Sequence, residues 1–372
     1  MLLAQEETPA AETEPSRETD LATPPAASYS FSAGMIDRLA RLDIALAFTS
    51  YQSGLLYMLG SHPEFGPQLH QSAVPKPMGL TASGGALILA GESTIARYRD
   101  VLRPGERINA TFDACYMPRE TWLTGGLDAH DVAVDADGRI LFVNTAFNCL
   151  ATLSPVHSFE PVWRPPFISA LVNEDRCHLN GLAMDAGQPA FVTAASRSDT
   201  IDGWRDRRDG GGVAIDVASS GIVCTGLSMP HSPRVHRGRL WLLNSGTGEL
   251  GQVASDGQFE PVAFCPGFTR GLAFHGNLAF VGLSKPRYQR FEGLPLDRRL
   301  ADADSEAWCG IQVIDLDSGA CVDWFRIDGG VAEIYDVTLI AGHRCPMAVS
   351  PSSPDATTLL TFTDPPSSRP SD

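Results

Sequence analysis

The chain has 372 residues, and its 28 Lys and Arg against 44 Asp and Glu leave a formal charge of −16. That acidic balance argues against a nucleic-acid partner, which needs clustered Lys and Arg, and equally against docking on an anionic membrane. Hydrophobic residues make up 43%, enough for a sizeable core, while 35 Gly and 27 Pro suit a chain that turns often.

Residues 1–34 are rich in Ala, Pro, Thr and Glu, with Glu6, Glu7, Glu12, Glu14, Glu18 and Asp20 against the single base Arg17 up to residue 30. They are expected to form a disordered tail, because they cannot bury enough apolar surface to offset ordering. The first residues lack the basic and apolar regions of a secretory signal. No later run approaches the ~18 apolar residues of a membrane span. The eight cysteines are scattered with no CxxC pair, which predicts reduced thiols and a cytoplasmic protein.

Residues 35–349 read as one all-β domain. Residues 44–51 (IALAFTSY) and 54–60 (GLLYMLG) are strand-like, and a repeat follows. A short segment begins each unit at 79, 131, 181, 233, 271 or 336, and an apolar run such as RILFVN (139–144), RLWLLN (239–244) or LAFVGL (278–283) comes next. The spacing is near the ~40–50 residues of a propeller blade. The last unit runs out after one strand, so the spare strands at 44–60 are expected to complete it. The expectation is a six-bladed β-propeller closed by pairing of N- and C-terminal strands, which removes free sheet edges. Residues 285–308 read as an insertion between the second and third strands of their unit. Residues 197–209 mix four arginines and four aspartates around Trp204 and read as an excursion over the channel mouth. Residues 350–372, with five prolines, read as a second disordered tail.

In a propeller, the residues that enter each inner strand cluster at one mouth of the channel. Aligned, they are Lys76-Pro77-Met78, Asp128-Ala129-His130, His178-Leu179-Asn180, Pro230-His231-Ser232, Phe268-Thr269-Arg270 and Glu333-Ile334-Tyr335. His130, His178 and His231 form a candidate set for one divalent metal ion. Asp128, Asp131, Glu174, Asp175 and Glu333 are available as further ligands or as acceptors for ring N–H groups. Asn180, Arg234, Arg270, Glu333 and Tyr335 are candidates for binding an organic ligand, the arginines through bidentate bonds to carboxylate or phosphate. Arg176 and Arg119 are placed near the same rim. Three readings stand open: a metal site, a metal-free polar pocket, and histidines that only satisfy buried backbone groups. No catalytic residue is assigned. Neither a Ser-His-Asp arrangement nor a P-loop is present, and the GxGxxG match at 246–251 opens no helix.

The segments LDAHDVAV (127–134), FVNTAFNCLATL (142–153), EDRCHLNGLAM (174–184), GLSMPHSPR (226–234), LWLLNSGTGELG (240–251), PGFTRGLAF (266–274), VGLSKPR (281–287) and EIYDV (333–337) resemble a bacterial family of uncharacterised proteins. That family is a domain of unknown function, sometimes joined to tetratricopeptide repeats. The resemblance implies identity without an activity. Two functions follow as expectations: a metal-assisted enzyme acting on a small anionic or peptide substrate, or a non-catalytic module that binds a ligand or a protein.

Overall fold

A computed structural model describes residues 26–286, 291 and 293–362. Their strands form six sheets arranged as the blades of a β-propeller. Blade 1 is built from Asp336–Ala341, Ile44–Ser50, Leu55–His62 and Gly66–Ala73, from the channel outward. Blades 2 to 6 follow in chain order, with inner strands Leu80–Ser83, Ala129–Val134, Leu179–Asp185, Pro230–His236 and Phe268–His275. All six inner strands stand at or beside the starts the repeat gave them. The ring closes as expected: Asp336 pairs with Thr49 and the register runs on to Ala341 with Ile44.

The second strand of each blade is apolar on both faces because both faces are covered by neighbouring blades. Along Ile140–Asn144, Phe142 packs with Ile88 of blade 2, and Val143 packs with Leu182 of blade 4. Along Arg239–Asn244, Leu242 faces Ala183 and Ala214, while the next residue, Leu243, faces Leu272 and Val281. The core is therefore a set of wedges between blades. A Leu→Ala change in one wedge costs about 2–5 kcal/mol.

Two boundaries differ from expectation. Ser28–Phe31, inside the segment read as tail, is a fifth strand on the outer edge of blade 6, paired with Cys321–Asp328. Its backbone N–H and C=O groups find a ladder there, and Tyr29 stacks on Phe325. The helix Met35–Leu42 then buries Met35 and Leu39, one turn apart, against the wedge between blades 6 and 1. At the other end, Pro346–Ala348 adds a parallel strand beside Ala114–Leu123. A short helix, Asp355–Thr358, lies in the stretch read as tail, and Ala356 and Leu359 pack under Cys115 and Met117. The expected disorder of 1–25 and 363–372 lies outside the described residues.

The eight cysteines are unpaired, and all but Cys321 are buried. Among the described residues no helix is long and apolar enough to cross a membrane. The insertion at 285–308 carries the helix Leu296–Asp302, whose Leu296 and Leu300 pack with Phe291.

Candidate ligand site at the channel mouth

The inner strands deliver their first residues to the channel as three stacked rings. The rim ring is Lys76, Asp128, His178, Met229, Phe268 and Glu333, all lining one cavity of ≈ 830 Å³. Two residues later comes a middle ring of Met78, His130, Asn180, His231, Arg270 and Tyr335. The next residue in each strand gives a floor ring of Gly79, Asp131, Gly181, Ser232, Gly271 and Asp336.

Two features of the backbone make this arrangement. Lys76, Asp128, His178 and Met229 have positive φ, between 44° and 52°. That left-handed turn swings the chain from the mouth into each strand. Successive residues of a regular strand point to opposite faces. In blades 3 to 6, however, the inner strand carries an extra residue at this level, seen as register shifts against its partner. Such a bulge re-aims a side chain, and here it lets adjacent middle and floor residues both reach the channel.

The register differs from expectation in one blade. Blade 5 was aligned one residue too far along, as Pro230-His231-Ser232. The structure aligns Met229-Pro230-His231, with Met229 in the left-handed turn that Lys76, Asp128 and His178 make in their blades, and Ser232 at a floor position that holds Gly or Asp in the other five. His130 and His231 then share the middle ring, while His178 belongs to the rim, two residues further out. His130 and His178 still stand edge to face, with ring centres 4.8 Å apart. Among the described residues no group of three or more His, Cys, Asp or Glu side chains is placed to hold a metal ion.

His130 and His231 occupy equivalent settings. His130 Nδ1 lies 2.8 Å from the Asp128 carbonyl and 2.8 Å from Thr145 Oγ1, whose proton goes to the Leu179 carbonyl. His231 Nδ1 lies 2.8 Å from the Met229 carbonyl and 3.1 Å from Ser245 Oγ, which donates to the Thr269 carbonyl. A carbonyl only accepts, so each Nδ1 carries the proton and each Nε2 is left as a lone pair. Burial, outweighing the Asp128 carboxylate, drives the His130 pKa down to about 4. Burial, aided by the Arg270 charge, holds His231 well below the usual imidazole range. Both rings are neutral at pH 7.

Tyr335 takes the same ring position in blade 1, and burial keeps its phenol protonated. The hydroxyl has no hydrogen-bond partner among the described residues, and neither do Asn180 Nδ2, His231 Nε2 and Arg270 Nε. Asn180 is oriented by Thr193 Oγ1, which donates to its Oδ1 at 2.8 Å, so its NH₂ faces the channel. The Arg270 guanidinium lies 5.2 Å from the Phe268 ring centre and 5.0 Å from that of Tyr335. Among the described residues no carboxylate pairs with it; Asp131 and Asp336, the acids of the floor, turn to Arg234.

Arg234, expected as a ligand anchor, pairs with those floor acids. It lies below the middle ring, two residues past Ser232 in its strand, with Nη1 2.8 Å from Asp131 Oδ2. Glu333 does line the mouth and accepts from Ser50 Oγ at 3.1 Å. Arg176 is engaged by Glu174 and Asp199. Arg119 lies on an outer strand of blade 2 and bonds Thr361.

Trp204 was not singled out as a contact. It stacks on His178 with ring centres 4.2 Å apart, and its Nε1 donates to Asp175 Oδ2, which also takes His178 Nδ1 at 2.9 Å. Trp204, Met229, Phe268, Phe291 and Leu294 make one flank of the cavity apolar; the opposite flank carries Gln52, Lys76, Asp128 and Glu333. The hydroxyls of Thr145 and Ser245 were also missed. Their signal was readable: Val-Asn-Thr at 143–145 and Leu-Asn-Ser at 243–245 close equivalent strands.

The domain of unknown function DUF4915 matches residues 33–349, and the chain belongs to that family. No curated protein sequence matches. Among solved structures, a chain of a nidogen/laminin complex is similar at 12% identity and a TM-score of 0.49, over 80% of this chain and 99% of that one. A catalytically inactive virginiamycin B lyase from Staphylococcus aureus, solved with quinupristin, is similar at 10% identity and a TM-score of 0.39, over 81% and 99%. Likeness at this level carries no argument about activity.

Proposed function

We propose that the channel mouth binds a small organic anion with an apolar body. Arg270 carries this reading. A guanidinium that is 9% exposed, with no carboxylate partner among the described residues, is a buried positive charge that a bound anion would balance. Tyr335 and Asn180 add neutral donors at the same level, and the flank of Trp204, Phe268 and Leu294 accepts an apolar body. The unpaired thiols support a reducing, cytoplasmic setting.

The pair of Asp175 and His178 favours a second reading in which the bound anion also undergoes proton transfer. An imidazole oriented through Nδ1 by a carboxylate serves as a general base through Nε2.

Thermal-shift and calorimetric titration with a panel of carboxylates and phosphate esters tests the first reading. Arg270→Met is expected to weaken any hit by at least about tenfold. Equal binding by that variant would overturn the assignment of Arg270.

A further inference from the structure

The middle ring offers more than a charge. His130, Asn180, His231, Arg270 and Tyr335 are all at least nine-tenths buried and all line one water-sized inner cavity. His130, Arg270 and Tyr335 also face the open cavity above, so the two spaces meet at this level. Asn180, Arg270 and Tyr335 present donors. The two imidazoles present bare Nε2 acceptors, since each Nδ1–H is spent on a carbonyl. The His231 Nε2 acceptor has no partner among the described residues.

A plain carboxylate accepts from the three donors but has no proton for the imidazoles, and a phosphate monoester keeps one only in its monoanionic fraction near pH 7. A buried acceptor left unmet costs about 1–3 kcal/mol. The missing element is a donor attached close to the anionic group. Resting on the anion reading above, we infer that the ligand is a hydroxy acid: its anionic group sits on Arg270 and Tyr335, and its adjacent hydroxyl donates to His231 Nε2 in the inner cavity. Asp131 and Asp336 also line this cavity, but Arg234 already engages both, so an ammonium in place of the hydroxyl would meet paired carboxylates beneath and the Arg270 charge beside it. The inner cavity admits one oxygen, and the apolar flank takes the rest of the molecule.

Mandelate, phenylacetate and phenylglycine share a carboxylate and an aromatic body and differ only in carrying hydroxyl, hydrogen or ammonium on the α-carbon. Calorimetry on the full chain is expected to rank racemic mandelate at least about tenfold above the other two. That preference should vanish in His231→Leu and return in His231→Gln, whose amide oxygen accepts; phenylacetate binding by both variants reports that they are folded. Equal affinities for mandelate and phenylacetate would overturn the hydroxyl assignment, with a water filling the inner cavity, and would leave the anion reading standing. Tightest binding by phenylglycine would overturn it in favour of an ammonium. If none of the three binds at millimolar concentration, the hydroxy-acid inference and its aromatic body fail together, while a hit elsewhere in the anion panel that Arg270→Met abolishes would still uphold the reading beneath it.

Discussion

Asp131 and Arg234 stand on inner strands two blades apart, and their Oδ2 and Nη1 atoms meet 2.8 Å apart across the channel. The Asp131 carboxylate also accepts the Leu182 N–H of blade 4, while Arg234 reaches toward Asp336 of blade 1 at 3.7 Å. One ion pair thus ties together four blades around the floor ring.

Removing the cation exposes what it balances. Burial and the Asp131 charge raise the Asp336 pKa to about 7, and Arg234 opposes that rise. A carboxyl raised above its ordinary 3.8 in the folded state stabilises through its protonated form. That contribution is full below 3.8 and is lost as pH rises through about 7. Arg234→Met should therefore destabilise by about 3–5 kcal/mol at neutral pH, as expected when one partner of a buried pair is removed. Part of the loss should return on acidification toward pH 5. Denaturant titrations across pH check this; a loss independent of pH would show that Arg234 acts by packing alone.

The two middle-ring histidines tilt the pH profile the other way. Their folded-state pKa values lie below the ordinary 6.5, His130 at about 4. Stability from keeping them neutral is complete above 6.5 and is lost as pH falls toward 4. His130→Gln removes one titrating group and retains a polar side chain. The slope of stability against pH between 4 and 6.5 should become less positive in this variant. An unchanged slope would mean that His130 is protonated in the fold.

The junctions between blades alternate in kind. Asp336 Oδ2, Asp131 Oδ2 and Ser232 Oγ accept the N–H of Leu80, Leu182 and Gly271 on the following blade. The intervening floor positions are Gly79, Gly181 and Gly271, and each of them is pressed by the next blade. A Cβ on Gly271 would lie 2.5 Å from Val337 N, and its φ is +76°. Both backbone strain and a clash with rigid main chain follow, so Gly271→Ala should cost at least about 2 kcal/mol in a chemical melt. A neutral result would show that the closing strand can shift outward.

The fold was legible because blade-to-blade burial imposes the same apolar second strand and the same short inner strand each time. Closure was legible because the last unit lacked strands that 44–60 could supply. The register at the mouth was legible to within one residue. Five of the six mouth triplets stand as assigned from sequence. The sixth slipped because its floor residue is Ser232, where the other five blades have Gly or Asp to mark the position. The slip drew Arg234 one residue nearer the mouth than it stands. The bulge itself left no mark, since it adds a residue without changing composition. Ser28–Phe31 escaped because an edge strand contributes backbone bonds and little burial, leaving no apolar signature beside an acidic, proline-rich stretch.

That edge strand yields its own prediction. Deleting residues 1–34 removes the ladder to Cys321–Asp328 and the bond from Ser32 Oγ to Asp323 at 2.6 Å, and it uncovers Phe325. Deletion of 1–25 leaves all of these in place. The longer deletion should lower stability by about 2 kcal/mol relative to the shorter and promote association through the exposed edge. Equal melting of the two would show that blade 6 needs only its own four strands.

Trp204 is the residue through which the excursion at 197–209 meets the site. Its ring lies 4.2 Å from that of His178, inclined by 24°, and the Arg205 guanidinium covers it at 4.5 Å. Its Nε1–H and His178 Nδ1 share one oxygen, Asp175 Oδ2. The ring therefore does two things: it walls the apolar flank and helps hold the carboxylate that orients His178. The variants separate these roles. Trp204→Phe keeps an aromatic wall and loses one hydrogen bond worth about 1 kcal/mol, so affinity for an aromatic acid should change little. Trp204→Ala removes the wall as well, and affinity should fall by about tenfold, with the dependence on Arg270 retained. Titrations of both variants with an aromatic carboxylate check the contrast. Should Trp204→Ala bind as tightly as the native chain, the apolar body lies against the opposite flank, and the excursion has no part in holding it.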